Sequence, residues 1–185
     1  MNKAIIISGN LAQDHEFIYP YYRLLEEGFK VDVCLLEGKP VQGILGTKIP
    51  PNKDQAVKKI DEISVNDYKI LVLPGGVKAM EKVRQEKKII SFISEFNKTQ
   101  KVIACICSGA QLLISAKVVK GRKIAGYYSM KDDLINAGAI YTDLPAVVDV
   151  NIITTAHYKD MGPWMREVIK KIDGRNFIYI INSFK

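Results

Sequence analysis

The stretch Lys101-Val-Ile-Ala-Cys-Ile-Cys-Ser-Gly-Ala-Gln-Leu-Leu113 decides the fold. Its first half, Lys101 to Ile106, is a short run of mostly branched apolar side chains, the pattern of a strand buried on both faces. Beyond it, Ala110 to Lys117 sets Leu112, Leu113 and Ala116 at helical spacing. Cys107 stands where strand becomes helix, followed at once by Ser108 and Gly109. A side chain on so sharp a turn is pushed out of the sheet, the position of a nucleophile elbow. Its sulfur then lies near the free amides of a helix start. Those amides stabilise negative charge, so the expectation is a thiolate accessible near neutral pH. Cys34 and Cys105 sit inside apolar strands and are expected to be inert.

Upstream of this stretch, Lys3 to Ser8 reads as the first strand. Asp14 is placed to cap a helix that runs to about Glu27, with a kink or restart at Pro20. Gly28 ends that helix, and Phe29 to Leu36 is the second strand. Glu37 to Pro51 carries Gly38, Pro40, Gly43 and Gly46 and reads as turns with a small hairpin. Lys53 to Ile63 is predicted as a short amphipathic helix. Tyr68 to Leu73 is a third core strand that stops at Pro74-Gly75-Gly76, and Ala79 to Asn97 is predicted as a helical region.

Downstream, Lys123 to Tyr128 is expected to be extended, and Lys131 to Ala137 to be a short helix closed by Gly138. Ala139 to Tyr141 and Val147 to Thr155 alternate apolar and polar residues, with Asp149 to Asn151 as a hairpin turn. Met161 to Ile172 is the last helix, with Pro163 in its first turn. Phe177 to Phe184 is an apolar tail expected to add a strand or cover a partner surface. Strands alternating with helices from residue 3 to about 118 define an α/β fold. A mostly parallel central sheet follows, with helices on both faces and right-handed crossovers. The length fits a single domain over 1–185.

With 48% apolar and 25% charged residues, the composition is that of a soluble globular protein. The net charge of +7 comes from scattered lysines mixed with Asp and Glu and without interleaved aromatics, which argues against nucleic acid as a partner. No apolar run is long enough to span a bilayer, and no secretory pattern precedes the first strand, so the expectation is a cytoplasmic protein without a membrane partner. Three cysteines without a C-x-x-C pair give no disulfide framework. The two histidines, His15 and His157, fall in no ligand-spaced cluster, so neither a metal nor another cofactor is expected.

In sheets of this kind the site lies beyond the C-terminal strand ends. The turn after Ser8, the Gly75-Gly76 turn and Cys107 converge there. Glu16 lies in the first turn of the first helix. Either it points across the strand ends to Cys107, where it exchanges a proton with the sulfur or a substrate, or it faces solvent as a helix-dipole carboxylate. Asp14 and Gln13 are weaker candidates for the same role. The amides of Gly76 and Ser108 are candidates for an oxyanion hole, and Gly75 and Tyr127 for substrate contacts. His157 follows the strand ending at Thr155, and either makes a Cys-His pair with Cys107 or is a surface residue at the start of a loop.

These residues resemble the ThiJ/PfpI superfamily, and most closely its intracellular-protease branch. The matching pieces are Asp14-His-Glu-Phe-Ile-Tyr-Pro-Tyr-Tyr-Arg23, Leu73-Pro-Gly-Gly76, Ile106-Cys-Ser-Gly109, Lys131-Asp-Asp-Leu-Ile-Asn-Ala-Gly138 and Trp164-Met-Arg-Glu167, in family order. The resemblance implies a flavodoxin-like three-layer sandwich with Cys107 as nucleophile and Glu16 hydrogen-bonded to its sulfur. It also implies a homo-oligomer, dimer or larger, in which Glu81 from a neighbouring subunit completes the site. Residues 174–185 then form a C-terminal extension. Ser108 stands where the protease branch has histidine, and Ala156 where the Parkinson-disease-associated branch has arginine.

The function this implies is a cysteine-dependent hydrolase or a glyoxalase- or deglycase-like stress enzyme acting on a small-molecule carbonyl or a peptide. A redox-sensing or chaperone-like stress protein with an oxidisable Cys107 is the first alternative, and an intracellular protease the second. Glu16 is expected to outweigh His157 as the group that handles the proton.

Overall fold

Branched apolar side chains fill the centre of the computed structural model, which describes residues 2–173. Three of its strands are apolar and buried almost throughout: β1 (Lys3–Ser8), β6 (Ile70–Leu73) and β7 (Val102–Ile106). They are flanked by β2 (Lys30–Leu35) and β11 (Ile152–Thr155). The short strands β5 (Val57–Lys58) and β10 (Val147–Asp149) form the edges. The resulting seven-stranded sheet runs β10-β11-β7-β6-β1-β2-β5, and only β10 is antiparallel to its neighbour. Its inner five strands have the order 2-1-3-4-5 of flavodoxin-like sheets, in which the chain reverses direction between β1 and β6. Two small ladders stand apart: the hairpin β3 (Val41–Gln42) with β4 (Lys48–Ile49), and the parallel pair β8 (Lys123–Ile124) with β9 (Ile140–Tyr141).

Two groups of helices cover the sheet. α1 (Asp14–Glu26) packs on α6 (Met161–Asp173), while α2 (Val77–Val83) and α3 (Lys87–Lys98) pack on α4 (Ala110–Ser115). Right-handed crossovers from a sheet of this order place the two groups on opposite faces. α5 (Lys131–Asn136) sits beside the β8–β9 pair. Trp164 of α6 is fully buried and donates its indole N–H to the Ile153 carbonyl at 3.0 Å, locking the last helix to β11. None of the described helices is long and apolar enough to cross a membrane.

Several local expectations are corrected. Residues 53 to 63 form no α-helix. Val57 and Lys58 instead pair with the free edge of β2, and Ile60–Glu62 is a single 3-10 turn. An open strand edge offers ladder hydrogen bonds that a short helix following two prolines cannot match. The helical region after Gly76 is broken into α2 and α3, and Glu86 caps the second by accepting the Lys88 amide. α1 runs through Pro20 without a restart. Only Lys123–Ile124 of the 123–128 stretch is a strand, and β10 and β11 form the hairpin while β9 pairs elsewhere. The apolar tail from Phe177 lies outside the described residues.

Candidate active site

Cys107 emerges from β7 with φ of 60°, the left-handed region that non-glycine residues avoid. Such a residue stores on the order of 1–2 kcal/mol of strain and persists only where its surroundings over-determine it. Here they do: β7 is buried along its whole length between β6 and β11. The Cys107 carbonyl also accepts the Tyr127 amide at 3.2 Å. The turn therefore has the geometry of an elbow, as its sequence implied.

Glu16 lies in the first turn of α1 and is only 1% exposed. Of its two alternatives, the structure selects the inward one. Its carboxyl stands beside the Cys107 side chain, both of them crowding the point that a Cβ on Gly75 would occupy, and Oε2 accepts the Gly75 amide at 2.8 Å. Gly75 in turn accepts the Gln13 amide through its carbonyl at 3.1 Å, so the β6 and β1 loops are stitched together beneath the thiol. Gly75 is thus engaged in this scaffold and is not among the described residues that line the cavity. No side chain fits there: a Cβ at Gly75 would meet Glu16 Oε2 and lie 2.8 Å from the Cys107 Cβ. Gly76 has φ of 102°, and a Cβ on it would lie 2.6 Å from both Gln13 N and Leu11 O.

The thiol does not follow the simple helix-terminus expectation. Burial first, and the neighbouring Glu16 charge second, push Cys107 up to about 12, against a smaller opposing pull from the Ser108 amide and hydroxyl. Burial likewise raises Glu16 to about 7, although the Cys107 side chain and the Gly75 amide beside it resist the rise. Glu16 therefore gives up its proton before Cys107 does, and between the two the remaining proton is on sulfur, facing an ionised carboxylate. Cys34 and Cys105 are fully buried, and burial pushes both thiols up.

A cavity of about 260 Å³ opens above Cys107, lined by Gln13, Glu16, Ile44, Gly76, Val77, Cys107, Ser108, Tyr127, His157 and Tyr158. It brings together Cys107, Glu16, Gly76, Ser108, Tyr127 and His157 from the sequence-derived set. His157 uses Nδ1 to accept the Lys159 amide at 3.2 Å and, among the described residues, has no carboxylate to orient it. Its ring stacks instead in an aromatic group, 4.0 Å from Tyr158 and 6.2 Å from Tyr127 between centroids. Glu81 is exposed on α2, away from this cavity.

Asp14 does not cap α1; Gln13 occupies the cap position without a side-chain bond. The Asp14 carboxylate is buried and accepts the amides of Leu45 at 2.8 Å and Thr47 at 2.9 Å. Burial alone would raise its pKa, but these bonds outweigh it and hold the carboxyl below 3.8. Asp14 thereby fixes the loop that carries Ile44 into the cavity wall. Ile44, Val77 and Tyr158 were not singled out by the sequence. Only their exposure as large apolar side chains marks them, and exposure is not legible before folding. Among the described residues, no cluster of His, Cys, Asp and Glu is placed to hold a metal ion.

The sequence profile of the DJ-1/PfpI family matches residues 2–171. A Pyrococcus furiosus protein named Deglycase PfpI is 39% identical over 168 residues, covering 91% of this chain and 98% of its own. Deglycase PH1704 of Pyrococcus horikoshii is 38% identical over the same share of each chain. Among solved structures, a two-domain Anabaena variabilis protein with DJ-1/ThiJ/PfpI-like and ferritin-like domains superposes with a TM-score of 0.86 at 28% identity, covering 94% of this chain and 48% of that one.

Proposed function

Because the chain belongs to the DJ-1/PfpI family, we propose that it is a cysteine-dependent enzyme that acts on small dicarbonyls or their adducts, with Cys107 as nucleophile. The observation that carries this reading is the buried Glu16–Cys107 pair at the floor of a small cavity. The relatives named deglycases support the same class of substrate. Sulfur adds to an aldehyde carbon, forming the S–C bond, and the thiol proton passes to the carbonyl oxygen to give a hemithioacetal. Glu16 then carries the proton of that carbon to the ketone carbon beside it while the hemithioacetal hydroxyl proton passes to the ketone oxygen, so the aldehyde carbon is oxidised to a thioester as the ketone is reduced to an alcohol. Water cleaves the thioester, returns the thiol and releases a 2-hydroxy acid. The amides of Gly76 and Ser108 are the proposed donors to the developing oxyanion.

The test is turnover of methylglyoxal and release of its thiol and amine adducts by wild type, Cys107→Ala, Glu16→Gln and His157→Ala. Activity is expected to vanish in Cys107→Ala, to fall at least about a hundredfold in Glu16→Gln, and to survive largely in His157→Ala. An active Cys107→Ala variant, or an active Glu16→Gln beside a dead His157→Ala, overturns the assignment. The buried carboxyl beside sulfur favours one second reading, in which peroxide oxidises Cys107 to a sulfinate that Glu16 holds by hydrogen bonding. That reading gives one stoichiometric gain of two oxygens and no turnover.

The exposed position of Glu81 outside its own chain's cavity supports a contribution to a second copy in a homo-oligomer. Sedimentation showing only monomer at micromolar concentration removes that contribution.

A further inference from the structure

The cavity's walls and floor differ sharply in chemistry. Its floor holds the ionisable pair Glu16 and Cys107, both of which become negative on losing protons. Among the described residues, Lys and Arg are absent from its lining, and His157, the one lining side chain there able to carry positive charge, already has its Nδ1 engaged by the Lys159 amide. The walls are apolar: Ile44, Val77, Tyr127 and Tyr158 are large hydrophobic side chains left 51%, 43%, 36% and 42% exposed around the mouth. A cluster of exposed apolar groups rimming a cavity marks a binding surface. Flat rings dominate one side, with His157 stacked on Tyr127 and Tyr128 and tilted against Tyr158. At about 260 Å³ the cavity admits only a small molecule.

We infer that this site selects neutral carbonyl electrophiles carrying an apolar, preferentially aromatic, substituent, which stacks against Tyr158, His157 and Tyr127, and that it rejects carboxylate-bearing ones. The inference rests on the proposed function for the identity of the reacting thiol, and it names that site's substrate class. Two forces act in the same direction. An aryl group gains ring contacts with the wall beyond the area it buries. A carboxylate has no cationic partner to offset its desolvation and meets the negative charge of the floor.

The test separates selectivity from turnover. Cys107 is alkylated at pH 8 by 2-bromoacetophenone, iodoacetamide and iodoacetate, and each rate is divided by the same reagent's rate with glutathione. In each reaction the S–C bond forms, halide leaves and the thiol proton goes to solvent. The normalised rate for 2-bromoacetophenone is expected to exceed that for iodoacetate by at least about tenfold. Tyr158→Ala is expected to lower the ratio of 2-bromoacetophenone to iodoacetamide rates several-fold, and Tyr158→Phe, which keeps the ring, to preserve it. Tyr127→Ala repeats the test should Tyr158→Ala fail to fold.

Equal normalised rates for all three reagents, or ratios unmoved by both Ala variants, overturn the inference. In parallel, kcat/KM is compared for phenylglyoxal, methylglyoxal and 4,5-dioxopentanoate, each an aldehyde beside a ketone, with the order as written expected. Aryl-selective alkylation without turnover of any of them upholds the inference and sinks the dicarbonyl reading. Turnover that favours 4,5-dioxopentanoate does the reverse. Failure of all three reagents to modify Cys107 overturns both.

Discussion

Glu16 and Gly75 are joined by a 2.8 Å bond from the Gly75 amide to Oε2, while Oε1 has no hydrogen-bond partner among the described residues. One oxygen is thus fixed to the backbone beside the Cys107 sulfur while the other keeps its capacity for a proton. The reactivity of the thiol depends on where that proton resides.

Alkylation of Cys107 by iodoacetamide should therefore show a step centred near pH 7, where the pair gives up its first proton. The rate is expected to rise roughly tenfold between pH 6 and 8 and then level off. Glu16→Gln should abolish that step and bring the upper one below about 12, because the charge that helps hold the thiol up is gone. Peptide mapping should find Cys34 and Cys105 unmodified in the native protein. A profile unchanged by Glu16→Gln would separate the two groups.

The same pair makes a stability prediction. Glu16 is raised from 4.5 to about 7 on folding, so it is neutral in both states below about pH 4. Between 4.5 and 7 the unfolded chain ionises while the folded one keeps its proton, and stability is lost across that window. Glu16→Gln avoids the loss. Urea unfolding should show it more stable than wild type at pH 8, by on the order of 2 kcal/mol, with the gap closing near pH 4.

Gly75→Ala and Gly76→Ala should each destabilise the protein by about 2–4 kcal/mol. The first drives a methyl into Glu16 and Cys107; the second adds one between the Gln13 amide and the Leu11 carbonyl on backbone already at positive φ. Loss of activity should exceed loss of folded protein for Gly75→Ala. Circular dichroism beside thiol titration distinguishes the two losses.

Asp14→Asn keeps one acceptor oxygen where the carboxylate has two, so one of the Leu45 and Thr47 bonds is lost. The expected cost is about 1–3 kcal/mol, together with a rise in KM larger than the change in kcat as the Ile44 wall loosens. Asp14 is held below 3.8 in the folded state, so its contribution is present above that value and disappears as pH falls through the depressed one. The stability gap between Asp14→Asn and wild type should narrow in acid.

The elbow was legible in the sequence because the hydrophobic period changes from strand to helix across Ile106 and Cys107. The alternation of strands and helices was equally open to reading. Glu16 was legible only as one of two orientations, since whether a first-turn side chain points inward depends on how α1 docks. The role of Asp14 was hidden because its partners lie 31 and 33 residues along the chain. The raised thiol was hidden for a related reason: helix-end amides are a local feature, whereas desolvation is set by everything packed around the sulfur. Residues 53 to 63 misled because helical spacing over so few residues says nothing of a vacant strand edge nearby.

The loop from Gly43 to Thr47 reaches the site largely through hydrogen bonds: Ile44 N–H to the Ala12 carbonyl, and Leu45 and Thr47 to Asp14. Its side chains Ile44 and Leu45 are exposed and add nothing to the central sheet's packing. This wall of the cavity is consequently a replaceable cassette. The side chains at 44 and 45 are free to change so long as Asp14 keeps its two amides, whereas Gly43 is not, because a Cβ there would meet the Asp14 carboxylate. The loop's bonds run to Ala12 and Asp14, not to Cys107 or Glu16, so this side of the cavity is held in place independently of the thiol turn.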